Sequence, residues 1–402
     1  NYLHTLDNPD TLVAPNLFCM SQQPAILSLS RQAVVCLALT LVLGCAVNVE
    51  ARVTRIVIEQ RQSPAYEGRS FGGVGQYEIL VGKAYGELDP RDPHNTIITD
   101  IQYAPRNARG LVEYVATFTL VKPVDLAKAN GALLYAVPNR GNRISTTAFG
   151  VAGESGEEFF LKRGYVILHS GWQGDLPPRP GAEMITVPIA KNPDGSSIVG
   201  PALARFSNMP AGANTLSLPV AHESANLDTA KSTLTKRASE EGAVIPISGA
   251  DWAFADCGKT PFPGAPDANK VCVKGGFDPA YLYELRYTAK DPLVLGIGFA
   301  ATRDVVSFFR RAAKDDNNTA NPVAGRVTHA IAQGISQSGN FIKTFVHLGF
   351  NQDEANRIVW DGPNDHIAGR QLAMNIRFAT PGGAANLYEA GSEPPLWWGD
   401  YG

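Results

Sequence analysis

The feature that most constrains this chain is a serine set among small residues, between a strand-like and a helix-like segment. Gly334–Gly339 reads Gly-Ile-Ser-Gln-Ser-Gly. Upstream, Arg326–Ala332 has the apolar character of a buried parallel strand. Downstream, apolar residues recur on one helix face, which predicts a helix over Asn340–Leu348. The pattern predicts a sharp strand-to-helix turn that presents Ser336, the geometry of a nucleophile elbow.

The same motif holds a second serine, and steric demands choose between the two. Residues two positions away from such a turn must be small, and for Ser336 these are Gly334 and Ser338. Choosing Ser338 would place Asn340 at one of the crowded positions. Ser336 is therefore the predicted nucleophile, at a helix N-terminus whose free N–H groups favour negative charge.

Charge and residue content exclude some classes of function. The 402 residues carry a formal net charge of −3, without a Lys/Arg-rich block, so nucleic-acid binding has no electrostatic support. No His or Cys pattern has metal-ligand spacing, so we predict neither a metal nor another cofactor.

The first 51 residues resemble a leader and not part of a fold. Arg31 precedes an apolar run over residues 33–43 and then small residues, the order of a secretory signal peptide. Cleavage is predicted before Arg52. Alternatively, Val42-Leu43-Gly44-Cys45 resembles a lipoprotein box that would anchor Cys45 to lipid. Both alternatives predict an exported protein, periplasmic or secreted.

The cysteines outside the leader agree with export. Cys257 and Cys272 flank a Pro/Gly-rich loop, and in an oxidising compartment they are predicted to form a disulfide. Two free thiols are the alternative.

Beyond the leader, the sequence predicts two successive patterns. Residues 52–130 alternate between polar and apolar as in antiparallel strands, and form a β-rich entry segment. Residues 131–402 follow strand–helix alternation with near-continuous apolar strands, which predicts an α/β core. A Pro/Gly/Ser/Asn-rich stretch, about 176–275, interrupts that alternation and is predicted to be a loop-rich cap insertion.

Several segments together resemble one family, the exported bacterial "alpha/beta hydrolase domain" proteins, over nearly the whole chain after the leader. The segments that carry the resemblance are Pro138–Gly141, Ser170–Asp175, Gly298–Asp304, the Gly-x-Ser-Gln-Ser-Gly motif, Trp360–Gly362 and His366–Gly369. Asn340 departs from the Arg usual in the family. The resemblance implies an α/β-hydrolase fold and a hydrolase activity, without naming a substrate.

Acyl transfer also needs hydrogen-bond donors aimed at the developing oxyanion. We expect one from the backbone N–H of Gln337, and the other from the loop after the strand at residues 132–137, through Asn139 or Arg140. An ion-pair role is the alternative for Arg140. Trp172 and Gln173 follow another strand and are predicted to line the substrate pocket, with core packing as the alternative for Trp172.

The general base is harder to assign. In this fold the acid and the histidine follow the serine, and only His347 and His366 do so here. His347 lies near the end of the elbow helix, so His366 is the candidate, with Asp361 or Asp365 near it. We expect, however, that the chain stops before its fold is complete, since 402 − 336 = 66 residues follow the serine and the remaining strands need on the order of 100. The usual acid and histidine would then lie beyond Gly402, and His366 would be a residue of the pocket wall. His366 as the base is the alternative.

These observations predict a serine hydrolase that acts on a small carboxylic ester through an acyl-enzyme on Ser336. The alternative from another class is a catalytically silent binding protein with the same fold; a peptidase is a weaker alternative. The oligomeric state stays open.

Overall fold

The structure is a computed structural model that describes residues 52–150, 154–220, 222–239, 241–369, 371–379 and 381. The predicted leader, with Cys45 and the cleavage site, lies outside these residues. Within them, no helix combines the length and apolar character needed to cross a membrane.

The described chain is rich in short strands. The strands are β1 Arg52–Gln62, β2 Tyr77–Leu88, β3 Val112–Pro123, β4 Ala132–Ala136, β5 Val166–Ser170, β6 Ile185–Thr186, β7 Val199–Phe206, β8 Thr215–Ser217, β9 Thr233–Arg237, β10 Ile245–Ile247, β11 Trp252–Ala253, β12 Ala255–Asp256, β13 Ala265–Pro266, β14 Lys270–Val273, β15 Leu282–Lys290, β16 His329–Ile335 and β17 Gly362–His366. The α-helices are α1 Gly156–Leu161, α2 Ile297–Arg311 and α3 Gln337–His347. Short 3-10 helices cover Tyr66–Gly68, Gly72–Val74, Ile101–Tyr103, Leu126–Lys128, Ser145–Phe149 and Thr229–Lys231.

One mixed sheet forms the centre of the molecule, in the order β1-β2-β3-β5-β4-β16-β17, with β6 also pairing with β3. The first three strands pair antiparallel, as do β3 and β5. From β5 through β4 and β16 to β17 the pairing is parallel. A mixed sheet with a parallel half agrees with the predicted α/β class.

The order in which the chain adds parallel strands to the sheet reverses at β4, and this reversal determines where a site can form. The chain passes from β4 to β5 on one side, and then crosses to β16 on the other side of β4. Crevices outside the carboxyl ends of strands at such a switch point are the usual ligand sites of α/β sheets. The loop after β4 and the turn after β16 meet at this place.

Both faces of β4 and β5 are covered, which explains the near-continuous apolar sequence of these two parallel strands. On one face Leu168 belongs to the main core with the aromatic side chains of α2 and α3, where the rings of Phe299 and Phe341 stack at 4.9 Å. On the other face the neighbouring Ile167 packs with Phe160 of α1. Successive residues of a strand face opposite sides, so a fully buried strand alternates between two cores.

Much of the region predicted as a cap insertion forms a second β unit with its own core. Strands β10, β9, β15 and β7 make one sheet, and β11, β14 and β8 another. The second core includes Trp252, Phe254 and Tyr283. Because β15 pairs with β7 and β9, this unit extends to Lys290, beyond the predicted limit near 275. Its role as a cap stays a prediction.

Cys257 and Cys272 lie in this second unit, where their Cα atoms are 5.8 Å apart and the sulfur atoms are bonded. Both side chains are buried. The predicted pairing is therefore the one found in the structure.

Two apolar runs interpreted as strands have other structures. The apolar pattern of residues 357–360 predicts a strand after the helix that follows Ser336, but the strand at this place is β17, which begins at Gly362. Val359 and Trp360 are buried, 0% and 1% exposed, but they lie outside the strands of the sheet. Asn351 holds Trp360 through both the N–H and the carbonyl of its backbone. The run at 294–299 likewise leads directly into α2, which begins at Ile297.

Candidate active site

Ser336 lies at the predicted tight turn between a strand and a helix. β16 ends at Ile335 and α3 begins at Gln337, so one residue makes the connection. Ser336 has φ 57° and ψ −117°, a conformation that side-chain-bearing residues rarely adopt. Such backbone strain costs on the order of 1–3 kcal/mol and concentrates at functional sites. The strand and helix are present as expected; β16 lies three residues later than predicted, and α3 begins three residues and ends one residue earlier than predicted.

The residues around Ser336 are small because the turn leaves no space. A Cβ on Gly334 would overlap the backbone carbonyl of Ser338, and a Cβ on Gly339 would approach the His366 carbonyl oxygen to 2.8 Å. Ser336 donates its own N–H to that same carbonyl at 3.0 Å. The turn is therefore locked against the end of β17.

The hydroxyl groups of the two serines have different surroundings. Ser338 is buried, and its Oγ accepts from the Ile335 N–H at 2.8 Å and lies 2.9 Å from the Ile335 carbonyl oxygen. The Ser336 hydroxyl is partly exposed and forms no hydrogen bond with a residue that the structure describes. Only Ser336 thus offers a hydroxyl that is free to react.

The loop after β4 forms a tight turn beside Ser336. Asn139 and Asn142 exchange two backbone hydrogen bonds, of 2.8 and 2.9 Å. The residues between them, Arg140 and Gly141, have φ values of 49° and 77°, as in a type I′ turn. The Asn139 side chain donates to the Ile335 carbonyl at 2.8 Å, which ties this turn to the residue before Ser336.

Residues some 40 positions later hold the turn from its other side. Trp172 donates from its indole N–H to the Pro138 carbonyl at 2.8 Å, and the Glu183 N–H donates to the Gly141 carbonyl at 3.0 Å. Arg179 binds the Arg140 carbonyl and the Asn142 side chain. The backbone N–H groups of Arg140 and Gly141 have no partner among the described residues. Because N–H and C=O point in opposite directions across a trans peptide, the Gly141 N–H points away from Arg179.

Sequence reasoning missed the polar network beneath this turn. Glu183 is buried and accepts from Thr117 at 2.7 Å and from Thr119 at 2.6 Å. Arg143 donates to the Thr119 hydroxyl and lies 4.0 Å from the Glu183 carboxylate. Burial raises the pKa of Glu183. No local motif announces this network, because its members come from three separate parts of the chain.

The expected pocket-lining role of Trp172 and Gln173 is not what the structure shows. Trp172 is 1% exposed, and its ring lies 4.5 Å from that of Phe341, so it packs in the core and holds the turn at Pro138. Gln173 is also 1% exposed and donates to Asp175. Both residues are buried and do not line an open surface.

Gln337 combines an expected role with an unexpected contact. Its backbone N–H opens α3, where the first N–H groups of a helix have no carbonyl one turn earlier to bind. Its side chain is 1% exposed and donates from Nε2 to the Pro381 carbonyl, while Oε1 has no partner within the described chain. The main-chain N–H is thus the donor available to a reacting group.

His366 lies at the carboxyl end of β17, paired in register with Ile335. Its side chain is exposed and forms no hydrogen bond with a described residue. Asp365 precedes it on the strand, so the two side chains point to opposite faces.

Asp361, the other carboxylate considered for His366, already has two other hydrogen-bonding partners. It accepts from the Ala330 N–H at 2.8 Å and pairs with Arg310 at 2.8 Å. Burial opposes its ionisation, but these two donors outweigh burial and lower the pKa of Asp361. The expectation that Asp361 supports His366 is therefore wrong.

Two other histidines, His347 and His169, lie on regular elements of the fold. His347 ends α3, roughly 16 Å along the helix from its start. His169 is buried on β5 with Nδ1 2.8 Å from the Ala136 carbonyl, and burial lowers its pKa to about 3. Within the described residues, no three His, Cys, Asp or Glu side chains are grouped so as to hold a metal ion.

Comparison with known families places part of the chain. Residues 262–395 match the family model described as "Alpha/beta hydrolase domain". This part of the chain is similar to alpha/beta hydrolase domains. The matched residues include α2, the turn at Ser336, α3 and β17, whereas the turn at Asn139 precedes them. No curated protein and no solved structure matches the chain.

Proposed function

We propose that this hydrolase is a serine hydrolase that cleaves carboxylic esters through an acyl-enzyme on Ser336. The observation that carries the proposal is the conformation of Ser336. It is a partly exposed non-glycine residue at positive φ, at the N-terminus of α3, and its hydroxyl forms no hydrogen bond with a described residue. Strain of this kind presents the nucleophile in serine hydrolases.

The reaction would proceed in two balanced steps. The Ser336 Oγ attacks the ester carbonyl and passes its proton to a general base; the alcohol then leaves with that proton. Water attacks the acyl-enzyme in the same way, which releases the carboxylic acid and restores the serine.

The proposed oxyanion donors are backbone groups. The Gln337 N–H stands at the positive end of the α3 dipole, where negative charge is stabilised. The second donor is the free N–H of Arg140 or Gly141 in the turn that Asn139 ties to Ile335. The side-chain amide of Asn139 donates to the Ile335 carbonyl and is therefore not proposed as an oxyanion donor.

For the base we propose His366, because its strand end lies directly beside the turn and its imidazole has no described partner. Within the described chain no carboxylate is hydrogen-bonded to this imidazole. The role of His366 as general base therefore has to be tested with a variant of His366, separately from the test of Ser336 as nucleophile.

Hydrolysis of aryl esters by the full chain tests the proposal. We expect wild type to be active, and Ser336→Ala and His366→Ala to be at least a thousandfold slower. If activity is lost in Ser336→Ala but kept in His366→Ala, Ser336 is supported as the nucleophile and His366 is excluded as the general base. Faster cleavage of matched amides than of esters would favour a peptidase.

A further inference from the structure

Arg140 has surroundings that neither its turn nor the oxyanion hole explains. It occupies the first central position of the type I′ turn, which favours Asn, Asp or Gly because φ is positive there. The side chain is partly buried, and its guanidinium forms no hydrogen bond or ion pair with a described residue. A structural ion pair, the alternative considered for this residue, is therefore absent from the described chain.

Leaving a partly buried guanidinium unpaired is unfavourable, since burial penalises a charge that has no partner. Burial alone accounts for the lowered pKa of the Arg140 guanidinium. The planar fork of an arginine matches a carboxylate through two parallel hydrogen bonds. An anionic ligand would supply the missing partner.

The charges around the turn point the same way. Arg140, Arg143 and Arg179 all lie at or against it, in a chain whose formal net charge is −3. Within the described residues, the nearest acidic partner of this group is Glu183, at 4.0 Å from Arg143. Burial raises the pKa of Glu183. The turn therefore presents a local positive field beside Ser336.

We propose that the Arg140 side chain binds a carboxylate carried by the substrate, so that the preferred substrates are anionic esters such as half-esters of dicarboxylic acids. This inference rests on the proposed function of Ser336. Arg179 holds the Arg140 carbonyl and fixes the turn, while the guanidinium of Arg140 makes the contact with the substrate. Selectivity for charge then comes from the side chain of Arg140, and oxyanion stabilisation from the backbone.

The test compares ester pairs of matched length that differ in charge. On the acyl side the pair is 4-nitrophenyl hydrogen glutarate and 4-nitrophenyl pentanoate. On the alcohol side it is 4-acetoxybenzoate and phenyl acetate. The measured quantity is the ratio of kcat/KM for the anionic ester to that for the neutral ester, which cancels any general loss of activity.

Arg140→Asn is the informative variant because Asn suits the turn and lacks the charge. In Arg140→Asn we expect this ratio to fall by roughly tenfold to a hundredfold for one of the two ester pairs, mainly through a higher KM for the anionic ester. Arg140→Lys keeps the positive charge and should retain part of the preference for the anionic ester. Arg326→Gln is the control, since Arg326 is exposed and precedes β16, at the opposite end of the strand from Ser336. Equal ratios in wild type and Arg140→Asn would overturn the inference, including the case in which Arg140→Asn lowers kcat equally for both esters.

A binding measurement separates this inference from the proposed hydrolase activity. In the Ser336→Ala background, calorimetric titration with glutarate and with 4-hydroxybenzoate should show binding of at least one, lost on adding Arg140→Asn. Failure of both to bind, with no preference for charge among the esters, would contradict the inference. Ester hydrolysis that survives in Ser336→Ala would contradict the proposed function alone.

Discussion

The side-chain amide of Asn139 donates a 2.8 Å hydrogen bond to the carbonyl oxygen of Ile335, the residue before the candidate nucleophile. This bond joins the loop after β4 to the end of β16, across the switch point of the sheet. Two segments almost 200 residues apart in sequence thus form one site.

Replacing Asn139 with Ala should lower turnover without unfolding the protein. The Ile335 carbonyl would keep the Ser338 hydroxyl but lose the Asn139 amide, and the turn that offers the second oxyanion donor would loosen. We expect kcat/KM to fall roughly tenfold or more. Asn130→Ala is the matched control, because Asn130 caps the opposite end of β4 through similar side-chain bonds; a comparable loss there would argue against a specific role for Asn139.

Gly334→Ala should destabilise the protein and abolish activity. The added methyl group would overlap the Ser338 carbonyl, which lies in the first turn of α3 and cannot move without disturbing Ser336. Urea unfolding should show a loss of about 1–3 kcal/mol. Gly362→Ala serves as control, since a Cβ there meets nothing within 4 Å. If Gly334→Ala behaves like Gly362→Ala, the tight packing of the turn is wrong.

Removing the disulfide should weaken the second β unit. The bond joins residues 15 apart, and closing a loop of that size stabilises the folded state by ~3 kcal/mol in the chain-entropy model. Denaturant unfolding of the Cys257→Ala/Cys272→Ala variant is expected to show a loss of that order. Reduction of the wild type should reproduce it, and a variant as stable as the oxidised wild type would show that the bond contributes little.

His169 should make stability depend on pH. Its folded pKa of about 3 lies below the ordinary value of 6.5, so between these values the unfolded chain binds a proton that the folded chain does not. The free energy of unfolding then falls as the pH falls, by about 1.4 kcal/mol per pH unit from this group.

Urea unfolding near pH 7 and near pH 5, with wild type and His169→Gln, measures this contribution. Wild type should lose about 2 kcal/mol more than the variant over that interval. Carboxyl groups whose pKa is raised, such as Glu183, act in the opposite direction but are present in both proteins. Equal pH dependence in the two proteins would contradict a neutral, buried His169.

The tight turn at Ser336 could be predicted because its signals are local. Gly334, Ser336 and the helix periodicity after them lie within a few residues, and steric rules connect them directly. The antiparallel start of the sheet was likewise visible in the alternation of β1, β2 and β3.

The surroundings of the elbow could not be predicted because they depend on distant packing. Trp172 has the composition of a pocket residue, yet its burial against Phe341 and its bond to Pro138 follow from how β5 returns to the sheet. The apolar run that ends at Trp360 has the sequence pattern of a strand because buried segments are apolar whether or not they pair with a sheet. The positive φ of Arg140 has no signal other than the glycine after it.

The most direct test of the account is covalent labelling of the full chain with a fluorophosphonate, followed by mass spectrometry of the peptides. We predict one adduct on the peptide that contains the elbow, assigned to Ser336, absent from Ser336→Ala and retained in Ser338→Ala. Folded wild-type protein that takes up no label, or label that persists in Ser336→Ala, would contradict the assignment of Ser336 as the nucleophile.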